Sequence, residues 1–113
     1  MTHVNHASPY PLAKQLEADV LKIISALDVY SLGQKPAQHV AVIKRGVADA
    51  RLDIRDYELA ESRVEQLKLK NASIERTVIL QREILSASEY NIFSAIDVAQ
   101  LSALIDRIQE RLE

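Results

Sequence analysis

Five carboxylates crowd the middle of the chain: Asp49, Asp53, Asp56, Glu58 and Glu61. On a helix Asp49, Asp53 and Asp56 share a face, because residues three and four apart are neighbours there. Glu58 and Glu61 form an E-x-x-E pair at the same kind of spacing. Acids so placed can hold magnesium, which takes one or two carboxylates and completes its octahedron with water and substrate phosphates. No basic or glycine-rich phosphate cradle accompanies them, and there is no G-x-G, P-loop or glycine-flanked serine pattern anywhere in the chain. The same acids interleave with Lys44, Arg45, Arg51 and Arg55. Alternation of this kind belongs to a solvated helix face, so nucleic acid is not the expected partner.

The E-x-x-E pair resembles the magnesium-binding acids of small all-helical nucleotide pyrophosphohydrolases. That resemblance implies a metal-dependent enzyme with a second acidic pair, E-x-x-D, on the following helix. Here Glu75, Glu83 and Glu89 are followed at the third place by Val78, Ser86 and Ile92, so the second pair is missing. Salt-bridged surface acids are the expected reading.

The histidines are His3, His6 and His39. His3 would be the third residue of a copper- or nickel-chelating amino terminus if Met1 were kept, but Thr2 favours its removal. His39 has no carboxylate or histidine three or four residues on, so it lacks the Glu-x-x-His pattern of di-iron bundles. A solvated side chain is expected. The absence of cysteine excludes disulfides, thiolate catalysis and cysteine-ligated zinc or iron-sulfur centres. No metal or other cofactor is expected.

The elements that carry these residues are helical. Of 113 residues 48% are hydrophobic, which excludes a mostly disordered chain, while two glycines and three prolines leave few turns. The formal charge of −2 draws the molecule neither to nucleic acid nor to an anionic membrane. No secretory leader and no run of 18 apolar residues is present, so a cytoplasmic protein is expected.

The stretch from Val40 to Leu85 contains no proline and a single glycine, Gly46. Starting at Ile43, the positions Val47, Ala50, Ile54, Tyr57, Ala60, Val64, Leu67, Asn71, Ile74, Val78, Gln81 and Leu85 follow at steps of three and four, the period of one helix face. Two successive threes, Ile54 to Tyr57 to Ala60, shift the stripe. The pattern predicts one long central helix over about 37–87. Asn71 in its seam is a candidate for fixing the register between helices.

Residues 1–9 are expected to be a flexible arm, and 10–113 a single helical domain. Leu12, Leu16, Val20, Ile23, Ile24, Leu27 and Tyr30 mark an amphipathic helix over about 11–32, closed by Gly33. Val98, Leu101, Leu104, Ile105, Ile108 and Leu112 mark another over 94–112, opened by a Ser94/Asp97 capping box. The fold class is therefore all-α: a long central helix with a shorter antiparallel helix packed on each half, a coiled-coil-like bundle. The alternative is a four-helix up-down bundle broken near Asn71, with Ser73 capping the new helix. Thr77 to Leu80 is apolar enough for a short strand, but its charged flanks favour helix.

Leu52 and Leu59 face away from the seam, with Val42 and Ala48 near the same line. They are the candidate oligomer or partner interface, because two thin helix layers leave them without cover. The function expected is a non-enzymatic helical interaction module that pairs with itself, as a homodimer or higher homo-oligomer. The alternatives are the pyrophosphohydrolase-like enzyme and a nucleic-acid-binding regulator.

Overall fold

The computed structural model describes residues 7–28 and 31–113. Four helices follow in order: α1 Tyr10–Ser25, α2 Gln34–Leu59, α3 Arg63–Ser88 and α4 Ala95–Leu112. The arm before Ala7, with His3 and His6, lies outside the described residues, as does Tyr30 of the first apolar stripe.

The expected all-α bundle is present, and so is its pairing of short helices on long ones. Glu17 of α1 meets Arg51 of α2, and Glu58 of α2 accepts from the Tyr10 backbone N–H, so α1 runs antiparallel to α2. On α4, Gln109 donates to Thr77 and Asp106 accepts from Gln81, so α4 runs antiparallel to α3. Arg111 reaches back to the Ser8 carbonyl at 3.1 Å and closes the ring of helices between α4 and the start of α1.

The continuous rod over 37–87 is corrected: the chain folds back on itself between Leu59 and Arg63. Ala60 leaves the helix with φ −64° and ψ 131°, and the Ser62 hydroxyl accepts from the Glu65 N–H at 3.0 Å to cap α3. The reason lies in the phase of α2. Its buried residues are Val40, Ile43, Val47, Ala50 and Ile54; carried on at the same alternation of three and four, that face passes Tyr57 and reaches Glu61, Val64 and Lys68. Turning back keeps those charges in water. The four-helix alternative thus has the right number of helices, but its break falls at Ala60–Ser62 rather than Asn71. Ser73, proposed as a cap, instead sits fully buried inside α3 with its hydroxyl unpartnered.

Leu16 and Val20 of α1, Ile43 and Ile54 of α2, Ile84 of α3 and Ile105 and Ile108 of α4 are essentially inaccessible to solvent. Each contributes about 1.5–3 kcal/mol of apolar burial. Ile92 and Phe93, between α3 and α4, are also buried, and the chain reaches them through Asn91 in the left-handed conformation. The Ser94/Asp97 capping box forms as the spacing predicts, with both hydrogen bonds present.

The first helix stops at Ser25, seven residues short of the expected Leu32. Gly33 does take a positive φ, 87° with ψ 173°, but it opens α2 instead of closing α1. That region is open to glycine and strained for every L side chain, by roughly 1–3 kcal/mol. A Cβ there would meet no atom within 4 Å, so the penalty is purely backbone. Gly33→Ala is therefore expected to lower unfolding free energy by about 1–3 kcal/mol in urea titration. Gly46 serves differently: a Cβ would come within 3.2 Å of Leu80 Cδ1, and the bare position lets α2 and α3 approach.

Candidate functional site

Three of the exposed large apolar side chains lie where α2 turns into α3. Both helices have 26 residues, against 16 in α1 and 18 in α4. At 1.5 Å per residue the hairpin is roughly 12–15 Å longer than the helices laid on it. The excess shows on α3: none of residues 63–72 is buried, and the first that is buried is Ser73. Leu59 at the end of α2 is 70% exposed, and Val64 and Leu67 in the first turns of α3 are 67% and 54% exposed. Isolated helical turns of this length are marginal in water without tertiary cover.

The four predicted interface residues separate. Leu59 belongs to this uncovered end, whereas Val42 is exposed beside Ile79 in a groove of about 230 Å³ between α2 and α3. They stand roughly 25 Å apart along the helix. Leu52 and Ala48 are half-buried. No single apolar line unites them.

A line that the sequence reading placed inside lies outside. Val64, Leu67, Asn71, Val78 and Leu85 are all exposed, and Asn71 therefore fixes no register within the subunit. The residues that α3 buries are Ser73, Thr77, Leu80, Ile84 and Ala87. These run at the same period, so most of the outer line is one residue out of phase with the true core. The signal for it was the signature Ser62-x-x-Glu65, which marks a helix start and resets the phase.

The carboxylates are engaged elsewhere. Arg76 of α3 spans Asp53 at 2.6 Å and Asp49 at 3.6 Å, Asp56 pairs with Arg55 at 3.1 Å, and Glu58 accepts from the Ser8 hydroxyl. Glu58 closes α2 while Glu61 lies in the turn, so the E-x-x-E pair does not share a helix face. Among the described residues no three His, Cys, Asp or Glu side chains are placed to hold a metal ion.

Of the basic cluster, Arg51 is bound to Glu17 at 2.7 Å and Arg55 to Asp56. Arg51 is held above its ordinary guanidinium pKa, first by a hydrogen bond with Tyr10 and then by the Glu17 charge. His39, expected in solvent, is half-buried, with Nδ1 3.6 Å from Glu83 and its ring 5.2 Å from that of Tyr90. The Glu83 partner comes from α3, which no spacing rule on one helix could supply. These links across the hairpin fix how α2 lies on α3, though half-exposed pairs of this sort contribute only about 0–1 kcal/mol each.

Among the described residues no helix is long and apolar enough to cross a membrane. No protein-family model, no curated protein and no solved structure matches this chain.

Proposed function

We propose that this chain is a non-enzymatic helical interaction module that associates with itself, working in the cytoplasm. The observation that carries the reading is the uncovered end of the α2–α3 hairpin, where Leu59, Val64 and Leu67 are each more than half exposed within nine residues of sequence. Large apolar groups clustered on a surface mark interaction sites more often than isolated ones do. Their setting supports it, since Asp49 and Asp53 are paired with Arg76, and Arg51 with Glu17, across the bundle.

Light scattering after gel filtration tests this. The native chain is expected to elute as a dimer or larger at micromolar concentration. Leu59→Asp combined with Leu67→Asp is expected to yield a folded monomer, weakening association by about a hundredfold or more, the equivalent of roughly 3 kcal/mol. Both side chains are exposed, so the core of the bundle should stay folded, with loss of helical content confined to the first turns of α3. A native chain that stays monomeric up to ~1 mM would refute the reading.

A further inference from the structure

The exposed line on α3 has a regularity that a partner of a definite kind would use. Val64, Asn71, Val78 and Leu85 recur every seven residues, and Leu67, Ile74 and Gln81 follow the first three of these by three. That is a heptad pattern over three repeats, of which Val64, Leu67, Asn71, Val78 and Leu85 are exposed while Ile74, packed on the subunit's own core, and Gln81, which donates to Asp106, are half-buried. Ile74, Val78, Gln81 and Leu85 each follow a buried residue by one, which sets the seam about 100° round the helix from the core. Leu85 is 61% exposed and Val78 36%. A seam of this pattern takes another helix, since only a helix presents knobs at the matching spacing.

Resting on the proposed self-association, we infer that the occupant is α3 of a second copy, lying antiparallel across a two-fold axis near Ala72. In this register Leu67 meets Val78 of the partner subunit, Asn71 meets Ile74 of the partner subunit, and Val64 meets Gln81 of the partner subunit. Leu85 comes level with the partner's hairpin turn, where Leu59 is exposed. The flanking charges agree: Lys68 falls beside Glu75 of the partner subunit, twice by symmetry. The uncovered first turns of each α3 then rest against the part of the partner subunit where its bundle is complete.

Two other registers serve the surface less well. Sliding the partner by one heptad, which moves the axis to near Arg76, aligns Leu67 with Leu85 of the partner subunit but sets Lys68 beside Arg82 of the partner subunit and Glu75 beside its own copy, both repulsive contacts. Parallel pairing sets the uncovered ends against each other and brings Lys68 beside Arg63 of the partner subunit, a repulsive contact.

Charge reversal and cysteine pairing test this, and the chain's lack of native cysteine makes the second readout clean. Lys68→Glu is expected to raise the dimer dissociation constant about tenfold, and adding Glu75→Lys to the same chain to restore it. Under oxidation Val64→Cys alone should stay uncrosslinked, while Val64→Cys with Gln81→Cys should form covalent dimers. A Lys68→Glu variant that binds more tightly, or crosslinking by Val64→Cys alone, would show parallel pairing and overturn the inference. A dimer indifferent to every one of these changes would place the interface elsewhere, again overturning it while self-association stands. A native chain that never dimerises removes the proposed function itself.

Discussion

Ile84→Asp is expected to unfold the protein at room temperature, and Leu85→Asp, one residue later, to leave its helical content intact. Ile84 is 1% exposed and faces the centre of the bundle, where an unpaired carboxylate meets no donor. The penalty exceeds about 4 kcal/mol, a large share of the 5–15 kcal/mol that holds a typical domain together. Leu85 is 61% exposed, so a charge there changes subunit stability by no more than roughly 0.5 kcal/mol. Far-UV circular dichroism of both variants, with urea titration of the second, separates them. Equal behaviour would mean that α3 is rotated from the orientation described.

Ile105→Ala carries the second large effect. Ile105 is inaccessible at the middle of α4, and truncation removes buried methyl groups while leaving a cavity that the neighbouring helices fill only in part. The expected loss is about 2–5 kcal/mol, read as a lower urea midpoint with an unchanged slope. Ile96→Ala, at a 69% exposed site on α4 outside the inferred interface, makes the control and should change the unfolding free energy by less than about 1 kcal/mol.

These substitutions fall where the sequence was easiest and hardest to read. The stripes of α2 and α4 were legible, because each has one apolar face with charges opposite: Ile43, Val47, Ala50 and Ile54 on one, Leu101, Ile105, Ile108 and Leu112 on the other. The Ser94/Asp97 box was legible too, since capping is a local interaction three residues long. In α3 the period could be read and the phase could not. That helix buries Ser73 and Thr77 while exposing Val64, Leu67 and Leu85, so ranking residues by hydrophobicity selects the wrong face. The same outer line continued the stripe of α2 with little interruption, and this concealed the turn at Ala60. Asn71, read as an internal register residue, points outward.

The candidate interface was only partly legible. Leu59 is as exposed as its pattern implied, but Leu52 is half covered, and Val42 lies against the groove shared with Ile79. The contacts that settle this join residues distant in sequence, such as Asp53 to Arg76 and His39 to Glu83. Helical periodicity carries no information about them.

Sedimentation velocity of the intact chain over a dilution series tests self-association most directly. The sedimentation coefficient is expected to rise with concentration from that of a monomer to a plateau at the dimer. A single monomeric boundary persisting to ~1 mM, where even an association worth only about 4 kcal/mol would be visible, would contradict the account.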